Sequence, residues 1–146
     1  MRLTSFTDYC IRVLTFVAVK DGSLATIDEI ARHHKINRNH LMKVVFRLSQ
    51  LGYLKTIQGK GGGIRMGMDP AQIRLGKLVR STEDDLALVE CFQSEACHCV
   101  IEPGCVAKKA LRTALDAFFA SLDEYTLADL VKPRRSLARL LELPAQ

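Results

Sequence analysis

Four of the five cysteines in this 146-residue chain fall between Cys91 and Cys105, in the stretch ECFQSEACHCVIEPGC, and Cys10 alone stands far upstream. Thiolates held this close ligate a soft metal or an iron–sulfur cluster, pair as a redox disulfide, or serve as a thiol sensor. The spacings are Cys91-x7-Cys99 and Cys99-x5-Cys105, with Cys97 and His98 between the first two. Structural zinc sites offer paired C-x2–4-C knuckles, which this segment lacks, and Cys97-x-Cys99 is too tight to be one. The C-x-x-C redox motif is missing as well. Three thiolates spread along a loop, the last at the start of a long helix, better suit a cluster whose irons lie several ångströms apart. Cys105 near a helix N-terminus also gains from the macrodipole, which favours thiolate over thiol. Clusters normally take four protein ligands. Another donor is therefore needed, and Cys97, His98, Cys10 or a carboxylate could supply it.

Other chemistry is sparse. No Ser–His–Asp triad or carboxylate pair can be placed on a common face, so an enzyme is not expected. The string Gly59-Lys-Gly-Gly-Gly63 fails the phosphate-loop form G-x-x-x-x-G-K-S/T, which argues against nucleotide binding. Hydrophobic residues make up 48% and charged residues 25%, ordinary values for a globular chain able to bury a core. No apolar run is long enough to cross a bilayer. The start, MRLTSFTDYCIRVLTFVAVK, carries Asp8, Arg12 and Lys20 and lacks a small-residue cleavage site, so a signal peptide is not expected. The expectation is a cytoplasmic protein without a membrane partner, where clustered cysteines stay reduced. Residues 1–80 hold 14 Lys and Arg against 5 Asp and Glu, whereas residues 81–146 hold 7 against 11. A basic first half joined to an acidic remainder points to a polyanion as the partner of the first half.

The elements that must position these groups are readable in order. Residues 6–20 space Phe6, Val13, Leu14, Val17 and Ala18 as a buried amphipathic helix, ended by Asp21-Gly22. Thr26-Ile-Asp-Glu29 has capping-box form and opens a short helix to about His34. Asn37 caps a second helix through Leu51, with Leu41, Val44, Val45, Leu48 and Leu51 on one face. Two short helices around a tight turn make a helix-turn-helix. The alternation in Tyr53–Gln58, the glycines after it and Ile64–Met66 then predict a β-hairpin wing. The fold class is therefore mainly α with a small β-hairpin wing: a winged helix-turn-helix DNA-binding domain plus a long dimerisation helix. Candidate DNA-binding residues are Thr26, Arg38, Asn39, His40, Lys43 and Arg47 on the helix pair, and Lys60, Gly61, Gly62 and Arg65 on the wing.

Asp69-Pro70 predicts a helix start, with the helix continuing through Leu75, Leu78 and Val79. Pro103 precedes a long helix to about Tyr125, with one stripe of Ala107, Leu111, Ala114, Phe118 and Leu122 and a second of Val106, Ala110, Leu115 and Phe119. Packing on the first helix would cover one stripe, and the other calls for a second subunit. Thr126–Asp129 opens a further short turn, and Pro133 separates a basic tail. The expected domains are residues 1–80 for DNA binding, 81–106 as the cluster loop, 103–125 as the dimerisation helix and 126–146 as a C-terminal helical tail. Cys10 is expected in the core. His33, His34 and His40 are expected at the surface or facing DNA, not as ligands.

LTSFTDY at 3–9, INRNHLMKVV at 36–45, GKGGGIRMG at 59–67, CVIEPGC at 99–105 and YTLADLV at 125–131 together resemble the NsrR family. Its members are nitric-oxide-sensing iron–sulfur repressors close to the IscR-type regulators. The likeness runs over nearly the whole chain in one register. It implies a homodimeric winged-helix repressor of a palindromic double-stranded DNA operator, with nitric oxide as signal. It implies a 4Fe–4S cluster, with 2Fe–2S as the other form, held by Cys91, Cys99 and Cys105 of one subunit and Asp8 of the other. Cys99 is preferred to Cys97 because the V-I-x-P-x-C continuation follows it. Val106-Ala-Lys108 stands where IscR-type regulators carry a histidine after the third cysteine, which departs from that branch. Two alternatives stay open: a thiol-redox or zinc-dependent winged-helix regulator, and a small iron–sulfur carrier.

Overall fold

The computed structural model describes residues 2–20, 22–93 and 97–143. Helix α1, Ser5–Val19, starts where the Thr4 hydroxyl accepts a 3.3 Å hydrogen bond from the Thr7 amide. Its inward face carries Cys10, Val13, Leu14, Phe16 and Val17 and forms the spine of the core. Helix α2, Ile27–His34, has the predicted capping box: the Thr26 hydroxyl accepts from the Glu29 amide, and the Glu29 carboxylate accepts from the Thr26 amide. The same carboxylate meets Lys20 Nζ at 2.5 Å and so ties the end of α1 to the start of α2. Helix α3, Arg38–Gln50, is capped by the Asn37 side chain, which accepts from the Asn39 amide at 2.8 Å. Leu41, Val44, Val45 and Leu48 turn inward from it as predicted.

Strands β1, Leu54–Ile57, and β2, Gly63–Met66, pair antiparallel from Leu54 opposite Met66 to Ile57 opposite Gly63. Gly62 is required at the tip, since a Cβ there would lie 2.2 Å from the Ile57 carbonyl oxygen. Ala25 bridges to Ile64 and locks the wing onto the segment that leads into α2. One core joins α1, α2, α3 and the wing through fully buried Phe16, Leu14, Ile30, Leu41, Leu48 and Leu54. Each such side chain contributes about 1.5–3 kcal/mol by leaving water.

Beyond the wing three expectations change. Asp69 does cap a turn, accepting from the Ala71 amide at 2.8 Å, but the turn is a short 3-10 helix, Pro70–Gln72. Ile73 then extends, its carbonyl accepts from the Leu127 amide at 2.9 Å, and Arg74 bridges to Thr126. That pairing interrupts the predicted continuous helix, and α4 begins only at Leu75 and runs to Thr82. The long helix α5 spans Val106–Asp123, and Pro103 lies in a separate 3-10 turn, Glu102–Gly104.

The faces of α5 also differ from the two predicted stripes. Leu115 and Phe119 are buried with Val79 of α4, and Leu122 and Phe118 pack beside them. Gly76 allows this approach, because a Cβ there would collide with the Asp123 carboxylate at 2.2 Å. Val106, Ala107, Ala110, Ala114 and Ala117 face outward. The inward face thus combines members of both stripes, and it packs on α4 rather than on α1. Helix α6, Leu127–Leu130, carries a Thr126–Asp129 capping box, and α7, Arg134–Leu140, packs on α1.

Candidate functional site

The outer face of α3 presents Arg38, Asn39, His40 and Lys43, all exposed, beside exposed Thr26 at the head of α2. Arg38 Nε donates to Asp28 at 2.7 Å, an exposed pair that leaves the guanidinium at the mouth of the helix pair. His40 stacks near Tyr9, with ring centroids 6.4 Å apart. Arg47 differs from its neighbours, because its guanidinium donates to the Ser81 carbonyl at 3.1 Å and fastens α3 to the end of α4. On the wing, Lys60, Gly61 and Arg65 are exposed and Gly62 is half-buried. A helix with polar and cationic side chains outward, next to a thin cationic hairpin, can enter a major groove while the hairpin tracks a minor groove.

His33 and His34 are half-buried rather than fully at the surface. Both rings lie against Phe16, at 5.5 and 5.9 Å between centroids, because α2 crosses α1 at that point. Burial, reinforced by the nearby Arg12 and His33 charges, holds His34 below its ordinary pKa. Cys10 is in the core as expected, wholly inaccessible, and burial pushes its thiol up to about 12. That removes it from thiolate chemistry at neutral pH.

The other cysteines are free thiols around the N-terminus of α5, with Cys91 and Cys105 half-buried and Cys97 and Cys99 exposed. Cys105 is the N-cap of α5, and its sulfur accepts from the Lys108 amide at 3.4 Å. Lys108 also pairs with Glu102, and this pair, then the neighbouring Cys91 and Cys97, holds the ammonium in its charged form. Cys91 lies in the 3-10 turn Glu90–Phe92. Three contacts fix this turn. Glu90 accepts from the His98 amide at 2.9 Å, Gln93 donates to Asp85 at 2.9 Å, and the Phe92 ring lies 3.8 Å beneath the Arg112 guanidinium. The sequence reading missed Glu90, Phe92, Lys108 and Arg112, whose partners lie a loop or two helical turns away and leave no motif.

Asp8 is half-exposed on α1 and pairs with Arg12 at 2.8 Å. A pair of this kind, spaced i,i+4 on a helix surface, contributes only about 0.3–0.5 kcal/mol, so the carboxylate is available to a stronger partner. Among the described residues, no three His, Cys, Asp or Glu side chains of a single chain gather as a metal site. The donors fit an iron–sulfur group by their chemistry. They are free cysteines, two exposed and two half-buried, one of them at a helix N-terminus.

This fold and surface define a winged helix-turn-helix regulator. The chain belongs to the Rrf2 family, described as iron-dependent transcriptional regulators, whose pattern matches residues 3–133. It is 52% identical over 144 residues to the HTH-type transcriptional regulator NsrR of Bacillus subtilis, covering 98% of this chain and 99% of that protein. Among solved structures, CymR, the global cysteine regulator of B. subtilis, superposes with a TM-score of 0.73 at 27% identity, covering 89% of this chain and 95% of that one. IscR of T. potens shares the fold with a TM-score of 0.74 at 20% identity, over 100% of this chain and 93% of that one. The protein is a DNA-binding transcriptional regulator and not an enzyme. No helix among the described residues is long and apolar enough to cross a membrane.

Proposed function

We propose that the chain is a cytoplasmic homodimeric repressor that binds a palindromic operator and releases it when nitric oxide reaches an iron–sulfur cluster, 4Fe–4S in the first instance. Residues 1–80 bind DNA, 81–106 form the cluster loop, 103–125 carry the dimer contact and 126–146 form the tail. Cys91, Cys99 and Cys105 of one protomer and Asp8 of the other hold the cluster. The observation that carries this reading is Cys105 as the cap of α5, the helix that exposes Val106, Ala107, Ala110, Ala114 and Ala117. A sensing thiol and an uncovered assembly face share one helix.

Cys91, Cys99 and Cys105 with Asp8 of the other protomer would hold the cluster, which would supply nitric-oxide-reactive iron, the carboxylate being the weakest of these protein donors. The protein's part is mechanical. Asp8 and Tyr9 are neighbours on α1, and Tyr9 touches His40 of the recognition helix. A restraint on Asp8 from the partner is thereby passed to the spacing of the two α3 helices. Those helices must sit about 34–36 Å apart to enter successive major grooves. Arg38, Asn39, His40 and Lys43 meet bases and phosphates, and Lys60, Gly61, Gly62 and Arg65 reach the flanking minor groove. Thr26 and Arg47 act from the edges, Arg47 chiefly by fixing α3.

Oxygen-free protein tests this. Broad visible absorption with bound iron and sulfide, both changed by nitric oxide as operator DNA is released, is the expected result. Colourless protein loaded with zinc, or repression unaltered by cluster loss, overturns it.

A further inference from the structure

We propose that Val100 and Ile101 of each protomer seat in the apolar groove between α1 and α3 of its partner, so that the cysteine loop presses directly on the recognition helix. The inference rests on the reading that Cys99 of one protomer and Asp8 of the other serve the same cluster. Val100 is 95% and Ile101 66% exposed, two branched aliphatic side chains in succession that the described residues of their own protomer leave largely uncovered. Such a pair in water is a cost that contact with a partner removes.

A matching cavity exists. Ser5, Phe6 and Tyr9 of α1 and His40, Lys43 and Val44 of α3 line a groove of about 250 Å³ whose wall is almost wholly apolar. That volume lies below the ~300–1,000 Å³ of small-molecule pockets and suits inserted side chains better than a cofactor. Connectivity brings the two surfaces together. Consecutive Cα atoms are about 3.8 Å apart, so Val100 and Ile101 lie within about 8 Å of Cys99 along the chain. On the receiving side Tyr9 directly follows Asp8, and Ser5 stands one turn earlier on the same helix. A loop whose Cys99 shares a cluster with Asp8 therefore has its next two residues within reach of this groove. Because His40, Lys43 and Val44 form one wall, the inserted side chains bear on the helix that reads DNA. The groove thus gives the sensor loop a contact with α3 that does not pass through Asp8.

Replacing Ile101 with the photo-crosslinker p-benzoylphenylalanine tests this on the full-length dimer. Illumination should give a covalent dimer on a denaturing gel, with mass spectrometry placing the link in residues 5–9 or 40–44. A link within one chain, a link elsewhere on the partner, or no link in a dimeric sample overturns the proposal, as does a monomeric protein. Iron and sulfide analysis of the same sample separates the two readings. A groove crosslink without bound iron keeps the interface and refutes the shared cluster, whereas a loaded cluster with the link elsewhere refutes the interface alone.

Discussion

Cys105 serves both as the cap of a helix and as a candidate ligand, and the two roles reinforce each other. The Lys108 amide that satisfies the helix end donates to the sulfur and so fixes its position at the start of α5. Among the described residues, no amide donates to Cys97 in this way. Cys97→Ala should leave iron and sulfide content unchanged, while Cys99→Ala should abolish the visible absorption; the reverse outcome would exchange their roles. Asp8→Ala should retain part of the iron but weaken operator binding about tenfold, or ~1.4 kcal/mol, in a mobility-shift assay with cluster present. At this scale the sequence was informative where a residue's role is local. The core position of Cys10 followed from the usual burial of free cysteines, and Thr26–Glu29 announced its own capping box. It was silent where the partner comes from another element. Nothing near His33 and His34 announces Phe16, and nothing near Cys91 announces Arg112.

Among the elements, the helix pair and wing were legible because period, caps and glycines agree on one answer. The later helices were not. The break at Ile73 is imposed by backbone pairing with residues 125–127, and the rotation of α5 is fixed by the approach of Gly76 to Asp123. Neither constraint has a local signal. Gly62→Ala should force the wing tip apart, costing about 1–3 kcal/mol in thermal unfolding and weakening operator binding. The C-terminal capping box carries a pH dependence. Lys132 first, and then Thr126, hold the Asp129 carboxyl well below its ordinary range. The unfolded chain therefore takes up that proton at a higher pH than the folded one. This stabilising contribution is present above the ordinary carboxylate pKa of about 3.9 and is lost as pH falls through and below it. Thermal melts from pH 6 to pH 2 should show a shallower acid decline for Asp129→Asn than for the parent.

At the scale of the molecule, basic residues concentrate in positions 1–80 while the acidic remainder carries four of the five cysteines and α5. In the proposed dimer, apposition of two copies through α5 would keep the acidic parts together and leave the basic faces outward for DNA. A two-fold contact is self-complementary, so that residue i of one copy meets residue j of the other and j meets i. The exposed stripe of Ala107, Ala110, Ala114 and Ala117 is made of small side chains, which let two helices approach closely and leave no room for charge. Ala114→Glu should therefore put a carboxylate from each copy into this apolar contact and split the proposed dimer, as read by sedimentation. Ala114 lies on the face of α5 turned away from Leu115 and Phe119, so the fold of the protomer, followed by circular dichroism, should persist. Operator binding should then fall by about 10²–10⁴, the gain that linking two half-site contacts ordinarily provides. A variant that stays dimeric, or a monomer that still binds the full operator as tightly as the parent, would show that this helix does not set the spacing of the recognition helices.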